Sequence, residues 1–373
     1  MLLFDYKLKN FNFRIILYML VLSCIGVVAI WSATNQNRTM VAKQIIGIVV
    51  GLMIAVVLAL INYHRIVSLS FVVYLICLVS LTAVLLFGKS RGIATRWIVL
   101  PVIGQIQPSE FVKIGLIVFF SWYFDKYQEK INQVSTLAIA LVLFTLPVIL
   151  ILKQPNLSTS LVIVVIIASV VFAAGISYKW IFGTLAVMMP LAALFIYLLQ
   201  YEMIPFLRGY QARRILAWID PEKYAEAYYQ QENSIMAIGS GMLTGKGVNN
   251  TSIASVKNGN FLSEEQTDFI FAIIGEELGF IGAMVVIALY LLLIYECLLM
   301  AGRARDMAGR LICTGMATLI AFQGFANIAV ATGIFPNTGL PLPFISSGVS
   351  SLLSIFIGMG IVLNVGLQRK ISN

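Results

Sequence analysis

Long apolar runs, separated by short polar segments, make up most of this chain. A helix needs about 20 mostly apolar residues to cross a bilayer, and the hydrophobic pattern offers ten such runs. They lie at roughly 14–33, 41–62, 67–87, 106–124, 134–152, 157–175, 178–200, 268–300, 307–332 and 343–367. The pattern therefore predicts an all-α polytopic membrane protein with ten transmembrane helices.

The composition supports this prediction and excludes a soluble globular protein. Hydrophobic residues make up 60% of the chain and charged residues 11%, and the mean hydropathy is +0.95, far from the values of soluble domains. Only the segment 201–267 is polar over a long stretch, and it separates the seventh and eighth helices. We interpret residues 1–373 as a single integral membrane domain that contains 201–267 as a long extracytoplasmic loop.

The positions of the basic residues predict the orientation in the membrane. Cytoplasmic segments of membrane proteins are enriched in Lys and Arg, and here the excess lies in the short segments on the side of the N-terminus. Both termini are therefore predicted to be cytoplasmic, with the run at 14–33 as an uncleaved first helix. This orientation explains the net charge of +9, which does not indicate a nucleic-acid partner.

A cluster of carboxylates lies where the long polar loop meets the eighth helix. It consists of Glu264, Glu265, Asp268, Glu276 and Glu277 in a chain that has 16 acidic residues. Carboxylates near lipid are costly, and proteins usually retain them for chemistry or for a ligand. The alternative is an ordinary acidic helix start, because acidic residues in a first turn complement the helix dipole.

Histidine and cysteine contribute little candidate chemistry. The single histidine, His64, lies in a short loop on the predicted cytoplasmic side, so acid–base chemistry at the outer side has to use carboxylates. The four cysteines fall in apolar runs without C-x-x-C spacing, which predicts neither a disulfide nor a metal site.

The fourth helix carries a charged pair near its start. The sequence Gln107-Pro-Ser-Glu110 is typical of a helix N-terminus, and Lys113 follows Glu110 at i+3, so the two side chains share a face and can pair. Length counting places both inside the hydrocarbon region. The pair either joins helices to one another or serves a site, because charges within the membrane usually face a cavity.

Basic residues in the predicted outer loops are candidates for holding an anionic headgroup. Arg96 lies in the loop 88–97, while Arg208, Arg213 and Arg214 belong to a segment that also carries Trp218 and predicts an amphipathic helix at the membrane surface. Lys and Arg match phosphate oxygens in charge and geometry. The alternative is that these loops are simply solvated.

The segment 333–348 contains three prolines and three glycines at membrane depth. Such a segment cannot be a lipid-facing helix, and non-helical backbone at this depth has to line a cavity that is buried in protein or filled with water. It lies on the same predicted side as the carboxylate cluster. The convergence of these irregular polar elements predicts a site at the outer leaflet.

Several motifs together resemble one family, the SEDS proteins (shape, elongation, division and sporulation) of the RodA/FtsW type. The short terminal segments resemble the RodA type more than the FtsW type. The matching motifs, which follow the family's order, are Arg96-Trp97, Gln107-Pro-Ser-Glu110 with Lys113, Gln154-Pro155, Arg214-Ile215, Asp220-Pro221, Thr267-Asp-Phe-Ile-Phe-Ala272, Glu276-Glu-Leu-Gly279, Asn327 and Gly339-Leu-Pro-Leu-Pro-Phe-Ile-Ser346.

The resemblance implies a peptidoglycan glycosyltransferase. Such an enzyme polymerises lipid II into β-1,4 glycan strands on the outer face of the bacterial cytoplasmic membrane, in cell elongation and shape, together with a class B penicillin-binding protein. Its other partners are the nascent glycan strand and membrane lipids. Asp268 takes the place of the family's essential aspartate, and Glu110 and Lys113 that of its charged pair. The family pattern differs at Asn156, where an acidic residue is usual, and at Ser346-Ser-Gly-Val-Ser350.

The resemblance and the residues together predict a catalytic site with Asp268 as general base in an inverting reaction. A divalent cation, Mg or Mn, is a possible companion of the pyrophosphate, although no dedicated metal cage is visible in the sequence. Among the candidate cations, Arg96 and Lys113 are favoured. The predicted substrate-binding residues are Glu110, Lys113, Arg96, Arg208, Arg213 and Arg214, and the predicted supporting residues are Glu276, Glu277, Gln107, Ser109 and Ser346.

Two other classes of protein fit the same helices. A transporter that flips lipid-linked precursors would also have many spans, prolines within helices and charges in the membrane. A non-catalytic scaffold that recruits a class B penicillin-binding protein is the second alternative. The predicted position of the carboxylates at the outer end, rather than at the bilayer midplane, favours chemistry at the surface.

Overall fold

The computed structural model describes residues 11–91, 94–100, 104–200, 210–249 and 265–368. Of the predicted site residues, Arg208 lies outside these ranges, as does Glu264 of the carboxylate cluster.

Thirteen α-helices account for most of the described chain. They are α1 Phe13–Ala33, α2 Arg38–Leu60, α3 Tyr63–Ser68, α4 Ser70–Phe87, α5 Pro108–Lys126, α6 Val134–Leu152, α7 Leu157–Ala173, α8 Tyr178–Gln200, α9 Tyr210–Ile219, α10 Ala225–Ser240, α11 Ile270–Arg303, α12 Met307–Ala331 and α13 Val349–Leu367.

Eight of these described helices are long and apolar enough to cross a membrane, which confirms a multi-pass membrane protein. They are α1, α2, α4, α6, α8, α11, α12 and α13. Helix α7 is a shorter apolar helix of 17 residues, and α5 carries Glu110 and Lys113 in its first two turns. The predicted ten-span count therefore stays a prediction.

Helices α5, α12 and α13 form the centre of the bundle, because most of their residues are buried. Small residues permit close approach there, as is usual between membrane helices. At Gly360 of α13, for example, an added Cβ would lie 2.7 Å from the carbonyl oxygen of Ala55 in α2. The core thus places the N-terminal end of α5 beside α12 and α13.

The segment before α5 is a small sheet, which corrects the all-α prediction. Strands β1 Lys89–Arg91, β2 Ala94–Leu100 and β3 Gly104–Ile106 pair antiparallel in the order β1-β2-β3. Basic residues and glycines made this stretch look like a loop. However, the run from Thr95 to Leu100 is rich in β-branched and aromatic side chains, which favour strands.

Four other features of the fold differ from the prediction. A short helix, α3, ends at the start of the predicted run at 67–87, and α4 forms the rest of that run. The last helix begins at Val349 because 332–348 is irregular. The polar segment contains α9, as predicted, and also α10, which the sequence reading missed. Helix α11 is interrupted at Gly279, whose φ of 66° and ψ of −165° are not helical.

Candidate functional site

Asp268 lies in the turn 265–269, directly before α11, where it is half-buried. Its carboxylate and the guanidinium of Arg214 both approach Gly339. A Cβ added at Gly339 would lie 3.2 Å from Asp268 Oδ2 and 3.4 Å from Arg214 Nη1. Gly339 has a φ of +67°, a backbone conformation that glycine adopts readily. The absence of a side chain therefore lets a carboxylate and a cation approach the same backbone position, and we call this point of approach the Gly339 slot.

The irregular segment 332–348, which contains Gly339, is held by side chains from six helices. These side chains donate hydrogen bonds to backbone carbonyls of the segment, which have no partners within a helix. The pairs are Trp218 to Gly333, Gln231 to Phe335, Arg214 to Asn337, Ser158 to Thr338, Asn327 to Leu340, Gln323 to Pro341, Tyr290 to Pro343 and Gln44 to Ser346. The protein therefore satisfies backbone that a bilayer could not, although only the second half of the segment is largely buried and Ile334 is exposed.

Glu110 and Lys113 form the predicted ion pair deep in the bundle. Lys113 Nζ lies 2.9 Å from Glu110 Oε2 and 3.1 Å from Gln323 Oε1, and Lys113 has no exposed surface. A buried pair is stable only when further hydrogen bonds complete it, and Gln323 supplies one. Gln323 Nε2 in turn donates to Pro341 O at 3.0 Å, so the pair reaches the irregular segment through this amide.

Glu276 and Glu277 hold the polar loop onto α11. Lys246 Nζ lies 2.8 Å from Glu276 Oε1, and the backbone N–H of Asn249 donates to Glu277 Oε1 at 3.1 Å. Ser32 of α1 donates to the same oxygen of Glu277. These contacts favour the structural role for both glutamates.

The interruption of α11 at Gly279 is where this loop docks. Phe280 N donates to Met242 O at 2.9 Å, and a Cβ added at Gly279 would lie 2.7 Å from Leu243 O. Backbone groups freed by the break are thus satisfied by the loop, as membrane proteins require.

Arg96 faces the end of α6. Its guanidinium donates to the carbonyls of Gln154, at 3.4 Å, and of Pro155, and a cation is favourable at a helix C-terminus. Asn156 caps α7, because its Oδ1 accepts from Thr159 N at 3.3 Å. Arg213, on α9, is exposed.

The predicted supporting residues Gln107, Ser109 and Ser346 lie along the same end of the bundle. Gln107 N donates to Ser350 Oγ at 3.1 Å, and Gln107 Nε2 donates to Ser109 Oγ at 3.1 Å. Ser346 Oγ donates to Thr267 O at 2.6 Å, next to Asp268. The structure therefore brings Asp268, Arg214 and Ser346 to one region and joins Glu110 and Lys113 to it indirectly.

Comparison with known proteins assigns the chain to a family. The family model described as cell cycle protein, FtsW/RodA/SpoVE, matches residues 11–371. The chain belongs to the FtsW/RodA/SpoVE family.

Individual relatives agree with this assignment over nearly the whole chain. The peptidoglycan glycosyltransferase MrdB of Escherichia coli K12 is 35% identical over 356 residues, which cover 95% of this chain and 93% of MrdB. A probable peptidoglycan glycosyltransferase FtsW of Geobacter metallireducens is 33% identical over 377 residues, which cover 98% of this chain and 96% of that protein.

Solved structures of FtsW/RodA/SpoVE relatives share the fold. A chain of a peptidoglycan synthase complex, solved to describe the coordination of polymerization and crosslinking, aligns with a TM-score of 0.79 at 27% identity, covering 95% of this chain and 97% of that chain. The rod shape determining protein RodA of Thermus thermophilus aligns with a TM-score of 0.69 at 25% identity, covering 99% of each.

Two residues on α12, Gln323 and Asn327, bind the irregular segment beside the site. Gln323 was missed in the sequence, and Asn327 was noticed only as part of the family motifs, without a role. Their signal was present, since two amides in an otherwise apolar helix, four residues apart, share one face. Gly339 was noticed only as part of a motif, because the need for a missing side chain appears only once Asp268 and Arg214 are in place.

Proposed function

We propose that this protein is a peptidoglycan glycosyltransferase that polymerises lipid II into β-1,4 glycan strands on the outer face of the bacterial cytoplasmic membrane. The names of its relatives support the activity. The observation that carries the proposal is the slot at Gly339, which a carboxylate and a guanidinium both approach. Ten spans, cytoplasmic termini and an outer 201–267 loop belong to the same proposal.

Asp268 acts as the general base. Its carboxylate accepts the proton of the acceptor GlcNAc 4-hydroxyl as that oxygen forms a bond to C1 of the donor MurNAc. The bond between C1 and the diphosphate oxygen breaks at the same time, so undecaprenyl diphosphate leaves and the α linkage becomes β. General base help contributes roughly 10²–10⁴-fold, and positioning and charge stabilisation supply the rest.

Arg214 is the cation whose geometry best suits the leaving diphosphate. It lies beside the same glycine as Asp268, and Arg matches phosphate oxygens well. Arg96 and Lys113, which the sequence favoured, are less well placed for this role, because Arg96 is directed at two backbone carbonyls and Lys113 is fully buried. Arg213 and Arg208 are further candidates.

A divalent cation, Mg or Mn, would have to be held mainly by the diphosphate. Within the described ranges, no three or more His, Cys, Asp or Glu side chains gather where they could hold a metal ion. The residues therefore do not fit a protein-bound ion, and no step is assigned to one.

A class B penicillin-binding protein is the proposed partner, in cell elongation and shape. Support comes from the related chain that belongs to a peptidoglycan synthase complex in which polymerization and crosslinking are coordinated. A transpeptidase that crosslinks new strands needs a polymerase at the same membrane face.

The deciding experiment uses the purified full chain in detergent with lipid II, where flipping has no meaning. Glycan strands should form with the wild-type protein, and Asp268→Asn should reduce their rate by roughly 10²-fold or more, because the base is lost. Failure of well-folded wild-type protein to make product, even with its partner present, would favour the flippase or the scaffold.

A further inference from the structure

A single buried amide ties Asp268 to the segment that carries Gly339. Asn327 of α12 donates from Nδ2 to Asp268 O at 2.8 Å and to Leu340 O at 2.8 Å. Asn327 is 1% exposed, so water does not compete for these bonds. This NH₂ group is the direct link between Asp268 and the segment, and the bonds from Ser346 Oγ to Thr267 O and from Ser347 N to Gln266 O hold the preceding residues of the turn.

A second amide, one helical turn earlier, holds the next carbonyl. Gln323 Nε2 donates to Pro341 O at 3.0 Å, and Gln323 Oε1 accepts from Lys113 at 3.1 Å. Because Lys113 can only donate, it requires the oxygen of Gln323, and this turns the NH₂ group towards Pro341. The Glu110–Lys113 pair thereby fixes the orientation of Gln323.

The hydrogen bonding of Asn327 indicates that its side chain is held for its two N–H donors and not for its oxygen. Its Oδ1 is buried and has no hydrogen-bond partner within the described part of the chain. An unpaired buried acceptor costs roughly 1–3 kcal/mol. In this orientation the side-chain oxygen of Asn327 makes no hydrogen bond with any described residue, whereas its NH₂ group donates to the carbonyls of Asp268 and Leu340, which belong to separate segments.

We propose that Asn327 and Gln323 are positioning residues that set the place of Asp268 against the Gly339 slot. Lys113 and Glu110 act on the site through Gln323 and do not touch the substrate. This inference rests on the proposed glycosyltransferase function. Misplacement of a reacting group by about 1 Å costs up to roughly 10²-fold in rate, so these amides should affect the chemical step more than substrate binding.

The first test replaces Asn327 by Asp, which keeps the size but removes both donors and sets carboxylate oxygens against carbonyl oxygens. With purified full chain and lipid II, we expect kcat to fall about 10–100-fold while KM changes less than about threefold. Asn327→Ser, which is smaller and uncharged, should lower kcat in the same way and covers the case in which the aspartate variant folds poorly.

Asn364 provides the matched control. It is also a fully buried amide, and it accepts from Tyr63 N at 2.8 Å and donates to Ala59 O at 2.6 Å, away from the site. Asn364→Asp should lower the melting temperature without lowering kcat per folded molecule. An unchanged kcat in folded Asn327 variants, or an equal loss in Asn364→Asp, would overturn the inference. Inactive wild-type protein would instead overturn the proposed function.

A double-mutant cycle tests the route through Gln323. If Lys113 acts only by orienting Gln323, then Lys113→Met combined with Gln323→Leu should lose no more kcat than the worse single variant, because the two changes break one connection. Additive losses together with a raised KM for Lys113→Met would mean that Lys113 binds the substrate, and the positioning role assigned to it would be wrong.

Discussion

At the scale of single residues, the site depends as much on a missing side chain as on the charged ones. The cost of a carboxylate near lipid singled out the whole cluster that contains Asp268, and only the family resemblance distinguished Asp268 from its four neighbours. Gly339 could not be predicted, since its role depends on Asp268, which lies far from it in sequence and reaches it only through folding. The role of Asn327, noticed only within a motif, was unpredictable for the same reason: it binds a backbone carbonyl 59 residues away, and no local pattern encodes that contact.

Gly339→Ala should impair catalysis. The added methyl group would lie 3.2 Å from Asp268 Oδ2 and 3.4 Å from Arg214 Nη1, and the positive φ adds strain on the order of 1 kcal/mol. We expect kcat/KM for lipid II polymerisation to fall roughly 10-fold or more, which corresponds to about 1.4 kcal/mol or more. Gly175 is the control, because it also has a positive φ, of +93°, but nothing lies within 4 Å of an added Cβ. An equal loss in Gly175→Ala would attribute the effect to strain alone.

At the scale of elements, most helices could be predicted and the irregular pieces could not. Apolar runs of spanning length fix where helices form, and α1, α6 and α12 lie close to the predicted ranges. The strands before α5 could not be predicted because basic residues and glycines made that stretch resemble a loop. The break at Gly279 could not be predicted because glycine also occurs in continuous helices. What distinguishes this glycine is the docking of the loop around Leu243 onto it, and that contact is tertiary.

Glu276→Gln should lower stability and leave chemistry intact. Glu276 pairs with Lys246 at 2.8 Å, and the exposed fraction is 1% for the Glu276 side chain and 20% for that of Lys246. The ion pair is therefore only partly accessible to solvent. We expect the free energy of unfolding to fall on the order of 1 kcal/mol, while kcat per folded molecule stays within about twofold, because Glu276 holds the loop and does not meet the substrate.

The matching variant for this pair is Lys246→Met. Since each change breaks the same ion pair, the double variant should be hardly less stable than either single variant. A kcat that falls by tenfold or more in folded Glu276→Gln would contradict the structural role and return Glu276 to the catalytic candidates.

At the scale of the whole molecule, orientation is the property on which the proposed outer-face chemistry depends. The exposed basic residues Arg303, Arg305 and Arg310 flank the connection between α11 and α12, and such residues favour the cytoplasm. Glu222 is exposed in the turn between α9 and α10, at the other end of the predicted spans. These two connections should therefore face opposite sides of the membrane.

Single cysteines in a background without the four natural ones test this directly. In intact cells whose outer barrier is opened, a membrane-impermeant maleimide should label Glu222→Cys, while Arg305→Cys should react only after the cytoplasmic membrane is permeabilised. The physical reason is the cost of moving clustered Lys and Arg across the bilayer during insertion. Polymerase activity of each variant verifies that the labelled protein is folded. The reverse pattern would place Asp268 on the cytoplasmic side, where strands destined for the outer face could not be made without a later export step.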